Sequence, residues 1–189
     1  MLLPCAQMRP VAVKKLDDLL AAYEPKELLV QDIPKGRQVL VHKNGEKIEF
    51  YSRIGSKLSR HVKVIKGDFL SVEDNFVVIG SLTKEKTVFL FDMLELNDKE
   101  VIDLPTSERL ACLQKTFSNN FDKIVIVQPQ EFKILYSDGK LSIDTAFIKP
   151  KKSKFLINRS SRDEPVGEWY RYSNKDNIRD VIITSFYYG

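Results

Sequence analysis

Apolar positions along this chain recur in patterns that predict several short strands and two or three helices. In Val11–Ala22 the apolar residues have helical spacing, which predicts one amphipathic helix. Phe76–Thr83 and Thr87–Met93 are near-continuous apolar runs of strand length, and we expect both to be buried strands. Ile124–Val127 and Asp180–Tyr188 predict two more strands.

Two dipeptides that tolerate positive φ angles predict β-hairpins. Asn44-Gly45 lies in the middle of Gln38–Tyr51, between two runs rich in Val, Ile and Phe. Asp138-Gly139 has the same position within 132–143. Tight two-residue turns favour these residue types because the turn needs the left-handed backbone region. We therefore expect one hairpin in each segment.

Two further segments of the sequence predict one more helix and one long loop. Ser107 can cap a helix that runs to about Phe117, with Glu108 in the first turn, where the helix dipole favours an acid. Lys149–Pro165 is polar, basic and weakly patterned, and we expect a loop there. Many antiparallel strands with few helices indicate an α+β fold, and we expect residues 1–189 to form one domain.

The net charge of +4 conceals two basic stretches. Residues 50–67 contain five basic side chains and no acid, and residues 145–162 contain six and no acid. Together they carry +11, so the rest of the chain carries −7. Such polarity is typical of a protein that contacts a polyanion, although charge alone favours the simpler interpretation of two solvated lysine-rich faces.

Several protein classes do not fit the composition. No apolar run approaches the roughly 20 residues that a membrane-spanning helix needs, so we expect no membrane partner. The first residues lack the pattern of a secretory signal, and Cys5 and Cys112 fit a reducing compartment. We expect an intracellular protein, cytoplasmic or nuclear. His42 and His61 are the only histidines, which excludes a histidine-rich metal site.

Three segments resemble the catalytic domain of ATP-dependent DNA ligases. Residues 30–59 match the family's opening motif and its Y-S-R-x-G without a gap, through Gly36, His42, Gly45 and Tyr51–Gly55. Residues 91–109 are close to its F-D-L-L…L-P-x-x-E-R. Residues 181–189 resemble the segment with which these ligases enter an OB-fold domain. The resemblance implies antiparallel sheets flanked by helices, ending where an OB-fold would begin.

The resemblance fails at the positions that carry the family's chemistry. The family's lysine, which holds AMP as a phosphoramidate, falls on Ile33, which has no nucleophilic atom. An aspartate falls on Lys35, an arginine on Gln38, and a carboxylate that helps to hold metal falls on Ser81. The resemblance therefore implies a degenerate member without the catalytic lysine, and we expect no cofactor and no metal. Asp92 is expected to serve a turn or a cap.

The leading hypothesis is a non-catalytic module that binds nucleic acid or acts as a scaffold in a nucleic-acid-processing assembly. DNA or RNA phosphates are the expected ligand, and a protein subunit or a missing OB-fold domain is an expected partner. The residues expected to contact phosphates are Arg53, Lys57, Lys149, Lys151, Lys152 and Arg171.

Two alternatives stay open at this point. One is a divergent ligase or nucleotidyltransferase that uses Lys35 or Lys26 as its nucleophile. Lys35 lies two residues from the expected position, which moves the amine by about 7 Å along a strand. The other is a nucleotide sensor that binds ATP without reacting.

Overall fold

A computed structural model describes residues 11–12, 16–58, 62–137, 140–141, 143, 145–155 and 169–173. In that part of the chain the strands are β1 (Val11–Ala12), β2 (Leu28–Gln31), β3 (Arg37–Asn44), β4 (Lys47–Ser52), β5 (Phe76–Leu82), β6 (Val88–Leu96), β7 (Lys99–Glu100), β8 (Ile124–Ile126), β9 (Gln130–Glu131), β10 (Tyr136–Ser137), β11 (Lys140–Leu141), β12 (Thr145–Pro150) and β13 (Tyr170–Ser173). The helices are α1 (Leu16–Leu20), α2 (Lys66–Leu70), α3 (Thr106–Thr116) and α4 (Phe132–Leu135), with a 3-10 turn at Pro25–Glu27. None of these helices is long and apolar enough to cross a membrane.

Two mainly antiparallel sheets form the body of the protein. One has the order β1-β13-β12-β2-β9, and the other has the order β4-β3-β5-β6-β7, with β8 parallel to β6. Strands β10 and β11 form a separate pair. Because side chains alternate across a strand, each sheet can bury both of its faces, and the sequence supplies apolar residues for both.

Three apolar cores follow from this arrangement. The first packs α2 and α3 on one face of the six-stranded sheet, through residues such as Phe69 and Leu113. The third packs α1 and α4 on one face of the five-stranded sheet, through residues such as Leu16 and Phe132. The second lies between the sheets, where Leu40 and Phe91 of the six-stranded sheet pack with Trp169, just before β13, and with Phe147 of β12; we call it the inter-sheet layer.

The strand predictions in the middle of the chain are confirmed. The hairpin of β3 and β4, the buried strands β5 and β6, and the short strand β8 all form where the pattern placed them. The tight turn is displaced by one residue, because Asn44 still pairs with Lys47 and Gly45 alone has the positive φ of 56°. The strand predicted at Asp180–Tyr188 lies outside the described residues.

Three other predictions need correction. The helix predicted over Val11–Ala22 is limited to Leu16–Leu20, since Val11 and Ala12 pair with β13 instead. Residues 132–135 form a helical turn, so the second hairpin is reduced to the two-residue strands β10 and β11. Ser107 is not the cap, because α3 begins one residue earlier.

Candidate functional site

The inter-sheet layer is packed with aromatic and aliphatic side chains. Leu40 and Ile79 pair across β3 and β5 and are both buried in this layer. The ring of Phe91 lies 5.4 Å from that of Phe147 on the opposite sheet and 6.0 Å from that of Trp169, in edge-on geometry. Ile33, in the loop after β2, is half-buried and packs against this layer. Its alkyl side chain extends the apolar packing between the sheets.

The loop that contains Ile33 lies directly against β5 and is hydrogen-bonded to it. The hydroxyl of Ser81 donates a hydrogen bond to the carbonyl of Pro34 at 3.0 Å. A Cβ atom added at Gly36 would overlap the Ser81 hydroxyl and lie 2.7 Å from the carbonyl oxygen of Leu82. Glycine at position 36 therefore lets the loop lie directly on the strand, and Ser81 holds it there.

The remaining two positions that depart from the ligase motif lie beside this loop. Gln38 pairs with Ser81 across β3 and β5 and is half-buried. Lys35 is exposed at the surface of the loop. Gln31, at the end of β2, is fully buried and donates its amide hydrogen to the carbonyl of Val127 at 2.9 Å.

A fully buried ion pair lies next to this layer. The guanidinium of Arg109 donates two hydrogen bonds to the carboxylate of Asp92, at 2.9 Å and 3.0 Å. Arg109 also donates to the carbonyls of Leu104 and Ser153. Asp92 was expected to serve a turn or a cap, and that expectation is wrong because the carboxylate is buried and paired in the core. Asp92 and Arg109 are the charged residues of the F-D and E-R segments of this chain.

Lys149 lies in the same buried cluster, at the end of β12. Its amine donates to the carbonyl of Phe91 at 2.8 Å, lies 3.5 Å from the second Asp92 oxygen, and sits 3.9 Å from the centre of the Trp169 ring. Burial lowers the pKa of Lys149 to about 8, despite the carboxylate of Asp92. The expectation that Lys149 belongs to an exposed loop is wrong, since the residue is in a strand and fully buried.

A second polar cluster is built on the edge strand β4. The carboxylate of Glu49 accepts hydrogen bonds from Lys57 at 2.6 Å and from the Tyr51 hydroxyl at 3.0 Å, and Lys47 lies 3.2 Å away. The Lys57 hydrogen bond is the main cause that lowers the pKa of Glu49 to about 2, and Glu49 in turn raises the pKa of Lys57. A shallow depression of about 500 Å³ next to this cluster is lined by both acidic and basic side chains.

The chain turns back on itself just after β4. Ser52 closes the turn through its backbone bonds with Ser56 and Gly55, and Gly55 has a φ of 85°. The returning segment pairs Lys57 with Tyr51. Arg53 is half-buried in this turn and interacts with another group of the protein. Ile54, the next residue, is 71% exposed. The Y-S-R-x-G motif is thus a compact hairpin tip.

The other predicted contact residues lie elsewhere. Lys151 is half-buried, 3.3 Å from Glu131, and Lys152 is exposed, both in the loop that follows β12. This loop is bonded to the start of α3, which packs on β6. Lys57 instead pairs with Tyr51 at the edge strand β4 of the other sheet, so the two groups belong to different sheets. Arg171 is exposed on β13, in the cross-strand row that contains Phe147 and Gln31.

The buried polar cluster around Asp92 could not be recognised in the sequence. Asp92, Arg109, Lys149 and Trp169 are separated by tens of residues along the chain, and only the fold brings them together. One sequence signal was available, because Asp92 and Arg109 both fall on motif positions and have opposite charges. Among the described residues, no group of three or more His, Cys, Asp or Glu side chains is placed to hold a metal ion.

Solved structures of DNA ligases have the same fold. The ligase domain of LigD from M. tuberculosis matches 89% of this chain and 59% of its own length, with a TM-score of 0.66 and 13% identity. A mycobacterial DNA ligase D complexed with ATP and MES matches 89% of this chain and 58% of its own, with a TM-score of 0.56 and 15% identity.

A structure of Lig E DNA ligases, whose study describes DNA binding with a minimal scaffold, matches 89% of this chain and 68% of its own, with a TM-score of 0.56 and 11% identity. Identities this low show the fold alone, which is the α+β nucleotidyltransferase fold of these ligases. The chain spans less than two thirds of the two LigD structures. No protein-family model matches the sequence, and no curated protein matches it.

Proposed function

We propose that this protein is a ligase-fold domain that binds nucleic acid through phosphate contacts and does not form a covalent nucleotide adduct. The observation that carries the proposal is the apolar filling of the inter-sheet layer. Ile33 packs there, where the ligase resemblance places the lysine that holds AMP. An alkyl side chain has no lone pair with which to attack a phosphate.

Two neighbouring residues support the proposal that the protein does not react with a nucleotide. Ser81, which falls on a metal-holding carboxylate of the family, uses its hydroxyl to fasten the loop at Pro34. Lys35 places a cation where the family has an aspartate, and it is exposed to solvent. Ser81 stabilises the loop, and neither residue supplies a carboxylate to bind a metal ion.

The two lysines that could replace the nucleophile are poorly suited to it. Lys26 is exposed, and its amine lies 2.6 Å from the carboxylate of Glu24. That contact raises the pKa of Lys26, which keeps the amine protonated and therefore not nucleophilic. Lys35 is exposed on the loop rather than enclosed near the inter-sheet layer. The enzyme alternative is for this reason the weaker one.

Nucleic-acid binding is supported by charge and by the fold. Lys57, Lys152 and Arg171 are exposed, and Arg53 and Lys151 are half-buried. A duplex carries phosphates along both of its strands, so cations on separate parts of the surface can contact the same duplex. Lys149 is removed from the set of contact residues because it is buried.

A further partner is part of the proposal. The LigD structures extend beyond the region that they share with this chain. We propose that a protein subunit or an OB-fold domain acts together with this fold when it binds nucleic acid, in an intracellular nucleic-acid-processing assembly.

The absence of adenylation is tested by intact-mass spectrometry after incubation with ATP or GTP and magnesium. The expected result is an unchanged mass. A gain of one AMP or GMP would overturn the proposal and favour a divergent nucleotidyltransferase. If the mass is unchanged but ATP raises the melting temperature, the domain is a nucleotide sensor and the nucleic-acid role must be shown separately.

A further inference from the structure

The charged side chains beside Trp169 do not sum to zero, because two cations face one carboxylate. Arg109 and Lys149 are cations, and Asp92 is the one carboxylate that faces them among the described residues. All three side chains are fully buried. Arg109 engages both carboxylate oxygens at 2.9 Å and 3.0 Å, which leaves Lys149 the longer contact of 3.5 Å. When Lys149 is protonated, this cluster holds an excess positive charge in the core.

Lys149 connects the two sheets directly. The residue belongs to β12 of the five-stranded sheet, and its amine donates to the carbonyl of Phe91 on β6 of the six-stranded sheet. The same amine lies over the ring of Trp169, whose face attracts a cation. Any change in the protonation of Lys149 therefore alters contacts at the junction of the two sheets.

A buried ammonium without a full counter-charge is unfavourable, because the ion has lost its hydration. Burial accordingly lowers the pKa of Lys149 from its ordinary 10.5 to about 8. A state in which water reaches the amine would bind the proton more tightly than the packed state does. Proton binding thus favours the looser state, and loss of the proton favours the packed one.

We infer that Lys149 makes the junction of the two sheets responsive to pH, so that protonation loosens the packing around Trp169 and loss of the proton tightens it. Two other buried groups would lower the free-energy cost of loosening the packing around Trp169. The indole nitrogen of Trp169 and the amide oxygen of Gln31 have no hydrogen-bond partner among the described residues. Water that enters a loosened layer would satisfy both. The inference does not depend on nucleic-acid binding.

Trp169 is the only tryptophan in the chain, so its fluorescence reports on this junction alone. In the wild-type protein, Trp169 emission should change with a midpoint near the Lys149 pKa of about 8. Quenching by acrylamide should be stronger at about pH 7 than at about pH 9.5, because the loosened layer admits the quencher. Lys149→Met should abolish both effects. Lys152→Met, which removes an exposed lysine of the same basic stretch, should retain them.

Two results would overturn the inference. The first is a wild-type protein whose Trp169 emission and quenching do not change between about pH 7 and about pH 9.5. The second is a Lys149→Met variant with the same transition as the wild type, which would assign the transition to another group. If Lys149→Met does not fold, Lys149→Gln provides the same comparison, and the wild-type quenching curve alone still decides the first result.

Discussion

Arg109 on α3 and Asp92 on β6 form a two-point ion pair that is completely shielded from solvent, with contacts of 2.9 Å and 3.0 Å. The pair joins the helix to the six-stranded sheet. A backbone N–H from Met93 also donates to the same carboxylate, at 2.8 Å. Asp92 is therefore the acceptor on which several elements of the fold depend.

We expect Asp92→Ala to destabilise the protein by about 3–5 kcal/mol, because it leaves buried cations without a counter-charge. Urea unfolding at neutral pH measures the change. Asp103→Ala is the matched control, since Asp103 pairs with Lys154 at 3.2 Å on an exposed surface and should contribute little. Equal effects of the two substitutions would show that the buried pair has no special role.

Gly36→Ala should destabilise the protein by about 1–3 kcal/mol, because the added methyl group has no room between the loop and β5. Removing the Ser81 hydroxyl in the double variant Gly36→Ala, Ser81→Ala should not restore stability, since the Leu82 carbonyl would still lie 2.7 Å from the new Cβ. Gly67→Ala is the control, because a Cβ there meets nothing within 4 Å. Thermal unfolding compares the variants, and a Gly36→Ala protein as stable as Gly67→Ala would refute the close approach.

Ile33→Lys should not create a nucleotide adduct. The new amine would enter an apolar layer, Lys35 would still replace the family's aspartate, and Ser81 could not bind magnesium. Intact-mass analysis with ATP and magnesium provides the measurement, and circular dichroism checks that the variant folds. A mass gain of one AMP would show that a single substitution separates this chain from an active enzyme.

Glu49 should make stability depend on acid pH. Its pKa is about 2 in the folded protein and 4.5 ordinarily, chiefly because of Lys57. The stability that ionised Glu49 adds is then fully present above about pH 4.5 and is lost as the pH falls toward 2. In Glu49→Gln, stability should fall less steeply between those pH values. Glu46→Gln, an exposed residue of the adjoining turn, should follow the wild-type curve. If the Glu49 and Glu46 variants behave alike, the cluster adds no stability.

The strands of the six-stranded sheet could be predicted because their signals are local. The Asn44-Gly45 turn signal between β3 and β4, and the apolar runs in β5 and β6, need no knowledge of distant residues. The helix at Val11–Ala22 was overpredicted because Val11 and Ala12 pair with β13, about 160 residues away along the sequence. Tertiary pairing overrides a local periodicity in such cases.

The candidate site was predicted less well than the fold, and Lys149 shows why. Its neighbours Lys151, Lys152 and Lys154 made it part of a basic stretch by composition. Its true surroundings are Asp92, Arg109 and Trp169, which no counting of local charge can identify. Arg53, Lys57, Lys151, Lys152 and Arg171 remain predicted phosphate contacts, because full or partial exposure permits a ligand but does not identify one.

The central claim is that the protein binds nucleic acid through cations at its surface, and the affinity for a DNA duplex as a function of salt concentration tests it most directly. The logarithm of affinity should fall linearly with the logarithm of salt concentration. The pairs Arg53→Glu, Lys57→Glu and Lys151→Glu, Lys152→Glu should each lower the slope by about two, since each removed contact lowers it by about one. Lys26→Glu, an exposed lysine outside both basic stretches, should leave the slope unchanged. No detectable binding at low salt, or a slope that neither pair alters, would contradict the account.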